Sequence, residues 1–202
     1  MPSLPANFKR PGAVLAFGLA LALGLTADLV TKYWAFAVLS DGIVETEEGY
    51  VFSRNRLTYA FIPGLLDFTT TINQGAVFGI GQGQRTLFLL VSFGAIGVIG
   101  YLFAKSGPGR LYQVLLGMLL AGVLGNMYDR LVYHGVRDMI HLFPDRQWSE
   151  IHGSLPQVDV FPYIFNVADS LLCVGVFCMI LYTLFTPDPA AAQDEKPGTE
   201  AA

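Results

Sequence analysis

Apolar residues fall into four long runs, about 12–39, 86–104, 111–129 and 164–186, and polar residues collect between them and at their ends. Each run is near the length a helix needs to cross a bilayer core. The pattern predicts four transmembrane helices. The first run follows Lys9 and Arg10, as in a secretory leader, and Ala20-Leu21-Ala22 resembles a cleavage site. The run continues well past that point, so it reads as an uncleaved first span. Gly94, Gly97 and Gly100 on the second span are expected to permit close helix contact, and Gly117, Ala121 and Gly125 form a small-xxx-small row on the third.

Between the first two spans the pattern changes. Asp41-Gly42 signals a turn. Tyr50–Ser53, Leu57–Ile62 and Leu65–Ile72 have strand-like composition, broken at Pro63-Gly64. A small sheet lying on the membrane surface is expected there. It ends in Asn73-Gln74-Gly75-Ala76-Val77-Phe78-Gly79, whose glycines permit close backbone approach. Residues 131–163 form a second extramembrane stretch, with Pro144, Pro156, Pro162, Trp148, His141 and His152. From Pro187 onward, Ala, Pro, Gly and acids predict a disordered tail.

Composition agrees with the pattern. Of 202 residues, 53% are hydrophobic and only 14% charged, where a soluble domain carries roughly a quarter charged. One membrane-embedded domain over 1–186 and a tail over 187–202 are expected. The net charge of −4 does not suggest a nucleic-acid binder, and since Glu45, Glu47 and Glu48 share one loop and Asp188, Asp194 and Glu195 lie in the tail, it says little else about partners. Cys173 and Cys178, five apart on one helix, face different ways and read as small core residues.

The polar residues near the span ends carry the chemistry. Asp28 lies late in the first span with Lys32 one turn on, an arrangement that fits an ion pair near the surface or an inward carboxylate shaping a polar site. Lys32, Tyr33 and Trp34 read as interfacial anchors. Asn126, Asp129 and Arg130 end the third span, Asp138 follows, and Asn166 and Asp169 open the fourth, where the helix dipole favours a carboxylate. If both chain ends share one side of the membrane, Asp28, Asn73, Asn126, Asp129, Arg130, Asp138, Asn166 and Asp169 gather near the opposite face. The distribution of Lys and Arg does not assign the sides.

Three chemistries suit such a cluster. Two close carboxyls cannot both ionise easily, so they share a proton and work as acid and base on a peptide bond. Intramembrane acids also serve proton- or ion-coupled transporters, although here they sit at one end of the spans. A metal site from His141, His152 and an acid lacks any compact ligand spacing.

The segments NQGAVFG (73–79), GNMYDRL (125–131), VRDMI (136–140) and FNVADS (165–170), with an Asp late in the first span, resemble the lipoprotein signal peptidases, or signal peptidase II. The resemblance spans nearly the whole chain in order, apart from the tail. It implies an all-α polytopic membrane protein with four transmembrane helices and a small extracytoplasmic β-rich segment on the membrane surface. It implies an aspartyl endopeptidase of the bacterial cytoplasmic membrane, without metal or organic cofactor. That enzyme would cut diacylglyceryl-modified prolipoproteins just before the lipidated Cys. Asp138 and Asp169 then match the catalytic pair. Asp28, Asn73, Gly75, Asn126, Asp129, Arg130, Asn166 and Ala168 match supporting or substrate-binding positions. Both termini would be cytoplasmic, the site near the outer face, the protein monomeric, membrane lipids its surroundings, and globomycin an inhibitor of the site. Arg137 stands where the family commonly has an apolar residue, and 40–72 and 141–163 are longer than usual. Asp129 stays a rival to Asp138, and an Arg130 bound to Asp129 would make it a permanently ionised brace.

Overall fold

The computed structural model describes residues 6–47, 51–54, 56–75, 81, 83–105, 109–144, 146–147, 150 and 159–186. Glu48, residues 76–79, most of the 106–109 turn, Trp148, His152, Pro156 and the 187–202 tail lie outside them. Helices occupy all four expected runs: α1 Pro11–Val38, α2 Arg85–Lys105, α3 Arg110–Val132 and α4 Val167–Phe185. All four are long and apolar enough to cross a membrane.

The helix α3 is the hub, packing on α1, α2 and α4. Its small residues explain how. A Cβ added at Gly117 would collide with the Phe17 carbonyl oxygen and lie 2.9 Å from the Ala20 Cβ. One added at Gly24 would lie 2.9 Å from the Ala121 Cβ. One added at Gly125 would meet the Asp28 carboxyl. The predicted row therefore brings α1 and α3 into backbone contact, and it does so beside the polar cluster. Gly125→Ala is expected to lower stability by about 1–3 kcal/mol through overpacking, read as a lower thermal midpoint in detergent. An unchanged midpoint contradicts this packing.

The glycines of α2 behave differently from expectation. Apart from the backbone of its own helix, no atom of the described residues lies within 4 Å of a Cβ built at Gly94, Gly97 or Gly100. They lie on a face turned away from α3, while the buried Ile99 and Phe103 pack against Leu116 and Val123 of α3. Cys173 and Cys178 are free, as expected, but Cys173 is exposed rather than in a core.

The strands are more extensive than the sequence predicts. A two-stranded hairpin pairs β1 (Ile43–Glu45) with β2 (Val51–Ser53). A second, antiparallel sheet has the order β3 (Tyr59–Ile62), β4 (Leu66–Asn73), β5 (Val136–Leu142), β6 (Ile164–Phe165). The three expected strand segments become β2, β3 and β4. The residues after α3, expected as a separate loop, instead supply β5 and β6 to the same sheet. The fourth run, expected to be helical from 164, begins with two strand residues. The sheet rests on the end of α1, where Ala35, Phe36 and Leu39 cluster with Met139 and are flanked by Phe68 and Ile140.

Candidate active site

Strand pairing builds the site. Asp138 pairs with Thr71 of β4, and two residues later Ile140 pairs with Phe165 of β6. The chain leaves β6 directly into Asn166, the N-cap of α4. The sheet thus delivers the start of α4 beside Asp138. Asn166 and Asp169 form a reciprocal capping box: the Asp169 N–H donates to Asn166 Oδ1 at 2.9 Å and the Asn166 N–H to Asp169 Oδ2 at 3.3 Å.

The Asn166 side chain reaches both acids. Its Nδ2 donates to Asp138 Oδ1 at 2.6 Å while its Oδ1 holds the Asp169 backbone. Asn126 of α3 completes the frame. Its Nδ2 donates to Asp169 Oδ1 at 2.8 Å, and its Oδ1 accepts from Asn166 at 3.2 Å and from Lys32 Nζ at 3.1 Å. Asp138 and Asp169 are only 1% and 8% exposed.

Beneath this frame lies a buried ion network. Lys32 is wholly buried, which corrects its reading as an interfacial anchor. Its three donors meet Asp28 Oδ2 at 2.8 Å, Asn126 Oδ1 at 3.1 Å and Asp129 Oδ2 at 3.2 Å. The Asp28–Lys32 pair thus takes the inward alternative. Asp28 Oδ1 accepts from the Ala168 N–H at 2.8 Å, so α1 also caps α4. Ala168 is fully buried, and a Cβ at Gly122 of α3 would come within 2.7 Å of its carbonyl oxygen.

Asp129 is held by Arg137, not Arg130. Arg137 donates to Asp129 Oδ1 from Nη2 at 2.8 Å and Nε at 3.1 Å, and its backbone N–H donates to Oδ2 at 2.9 Å. Arg130, one turn from Asn126, donates to the Asn126 carbonyl at 3.3 Å and the Gly75 carbonyl at 2.8 Å. It therefore ties the end of β4 to α3. There Asn73 Oδ1 accepts from the Gly75 N–H at 2.9 Å. The partner changes because Arg137 on β5 approaches Asp129 directly, a contact that depends on the strand register and not on helical spacing.

Charge and burial separate the two candidate acids. Burial first, and the facing Asp169 carboxylate second, push the Asp138 carboxyl well above its ordinary range. The amides of Asn166 and Asn73 and the Lys32 ammonium oppose this without reversing it. Asp138 Oδ2 is buried and has no hydrogen bond among the described residues. A buried acceptor without a donor favours a proton on that oxygen. Asp129, in contrast, meets two cations. This separates Asp129 from Asp138 in a way the sequence does not.

Two cavities flank Asp169 and share Asn73. One, about 250 Å³, lies between α2, α3 and α4 and is lined by Phe88, Val91, Ala95 and Leu172. The other, about 330 Å³, is lined by Phe161, Tyr163, Phe165 and Cys173. A larger cavity of about 510 Å³ lies elsewhere, against Arg137 and the β1–β2 hairpin.

Four apolar helices with carboxyls buried at one end, beside a sheet that supplies one of them, define a polytopic membrane protein with an acidic site. Similarity to known proteins narrows the class. The family model of signal peptidase (SPase) II matches residues 20–185, and the chain belongs to that family. It is 35% identical to the lipoprotein signal peptidase of Latilactobacillus sakei subsp. sakei (strain 23K), over 79% of this chain and 87% of that one. It is 37% identical to the lipoprotein signal peptidase of Lactobacillus johnsonii, over 61% and 71% of the two chains. A solved structure of a bacterial membrane enzyme, obtained by the in meso method, superposes with a TM-score of 0.62 at 27% identity, covering 92% of this chain and 94% of the other. Membership makes the chain a protease of a membrane-protein family and does not favour the transporter reading.

Proposed function

We propose that the chain is an aspartic-type lipoprotein signal peptidase, with Asp138 and Asp169 as its catalytic pair. The observation that carries this reading is the single Asn166 side chain that bonds the Asp138 carboxyl and the Asp169 backbone together. Asp169 meets two amide donors and Asp138 has a buried oxygen without one. Asp138 therefore holds the shared proton and donates it to the scissile carbonyl oxygen. Asp169 accepts a proton from the attacking water. The pair titrates as a unit.

The substrates are diacylglyceryl-modified prolipoproteins, cut just before the lipidated Cys. They enter sideways from the bilayer, with acyl chains left in lipid and the peptide crossing between the two cavities beside Asp169. Exposed Tyr59, Phe61 and Ile62 on β3 suit a sheet lying on the membrane surface. In this reading residues 1–186 are one membrane-embedded domain in the bacterial cytoplasmic membrane. Both termini and the 187–202 tail are cytoplasmic, and the site and sheet lie near the outer face. The protein works as a monomer, globomycin binds the site, and the chemistry uses no metal or organic cofactor.

A pH–rate profile tests the pair. One proton must be present and one absent, so the profile is bell-shaped. The raised Asp138 value keeps its proton on beyond the ordinary carboxylate range, so the alkaline limb falls above that range as Asp138 deprotonates. A rate that climbs to a plateau with no alkaline fall contradicts the shared-proton pair.

A further inference from the structure

Arg137 stands next to Asp138 on β5, yet the two side chains do opposite things. Successive strand residues point to opposite faces. Asp138 reaches Asn166, while Arg137 reaches back to Asp129 near the end of α3. Its side chain is only 5% exposed, and its guanidinium carbon lies 4.1 Å from the Tyr133 ring centroid and 5.9 Å from that of Phe36. Two guanidinium bonds and one backbone bond join this single residue to one carboxylate. Both guanidinium bonds fall on Oδ1 and the backbone bond on Oδ2, so one residue engages both carboxylate oxygens and fixes the orientation as well as the charge. The register then leaves little freedom for the next residue, since Arg137 pairs with Ile72 and Asp138 with Thr71.

The same contact affects Lys32. Asp129 lies between two cations, with Arg137 on Oδ1 and Lys32 on Oδ2. Arg137 therefore shares Asp129 with Lys32, whose ammonium also meets Asn126, the residue that holds Asp169.

We propose that Arg137 is a positioning residue of the cleavage site: its guanidinium and backbone bonds to Asp129 lock the start of β5 onto α3 and set the place of the Asp138 carboxyl. The proposal rests on Asp138 and Asp169 being the catalytic pair. It adds a residue that touches neither substrate nor reacting atoms.

The test is steady-state cleavage of a diacylglyceryl-modified precursor peptide by the purified full chain in detergent. Arg137→Met keeps an unbranched apolar stem and removes the guanidinium and its charge. It is expected to lower kcat on the order of 10-fold to 100-fold, the scale of a catalytic group misplaced by a fraction of an ångström to an ångström, with KM changed less than about twofold. Arg137→Lys restores part of kcat, since it returns a charge without the fork. Asp129→Asn/Arg137→Met removes both charges, so it recovers the thermal midpoint lost in the single variant but not kcat. Wild-type kcat in Arg137→Met, an effect on KM alone, or a double variant whose kcat recovers along with its midpoint overturns the proposal. Asp138→Asn and Asp169→Asn run beside these. If they are inactive while Arg137→Met is wild-type, only the positioning role fails. If they stay active, the catalytic pair itself fails.

Discussion

Asp138→Asn and Asp169→Asn each lower kcat for precursor cleavage by about 10²–10⁴-fold, the usual contribution of a positioned acid or base. Both substitutions are close in volume, so the Asn166 and Asn126 frame can persist and the variants stay folded in the membrane. Asp138→Asn keeps an acceptor for Asn166 Nδ2 but cannot hold the exchangeable proton now favoured on Asp138. Asp169→Asn keeps the capping position but gives water no base. The double variant is expected to be no worse than either single one, because the two groups act as a unit. Purified variants with unchanged thermal midpoints are compared by signal-peptide release. Near wild-type turnover in either one sinks the assignment. Asp129→Asn lowers stability and kcat together, because it removes the carboxylate that Lys32 shares with Arg137 and that ties the start of β5 to α3.

Lys32→Met is the second large effect, and it falls on folding. The lysine is fully buried, pairs with Asp28 and shares Asp129 with Arg137. Removing one member of a buried ion pair typically costs about 3–5 kcal/mol, because the partner charge is left without compensation. The variant therefore loses a large share of the stability of the domain, read as a lower thermal midpoint and lower yield from the membrane fraction. Asp28→Asn combined with Lys32→Met returns part of the loss, because one orphaned charge is gone and the amide oxygen still accepts from the Ala168 N–H. A single variant with an unchanged midpoint contradicts the account of this network.

The four helices were legible because burial in lipid demands uninterrupted apolar runs, and the α1–α3 contact because Gly117, Ala121 and Gly125 repeat every four residues. Asn166 and Asp169 were legible as a helix start, since capping is local chemistry. The sheet was harder. Val136, Arg137, Asp138 and Met139 are all buried, so the first half of β5 has no solvent face to mark it by alternation of polar with apolar positions. Arg137 and Asp138 are polar on opposite faces of the strand because each meets a different buried partner. Lys32 looked like an anchor because a basic residue late in a span usually snorkels to the surface. Its burial follows from Asp28, Asn126 and Asp129 converging on it from two helices, and that convergence is a tertiary fact. The Arg130–Asp129 pairing failed because neighbours in sequence point apart on a helix, and β5 brought Arg137 to Asp129 instead.

The most direct test of the central claim is incubation of the purified chain with a diacylglyceryl-modified precursor, followed by mass determination of the products. The account predicts a released signal peptide ending at the residue before the lipidated Cys, and, on the time scale of complete wild-type cleavage, no more than a trace of it when Asp138 or Asp169 is replaced by Asn. Release in those variants comparable to wild type, or cleavage at another bond, would contradict it.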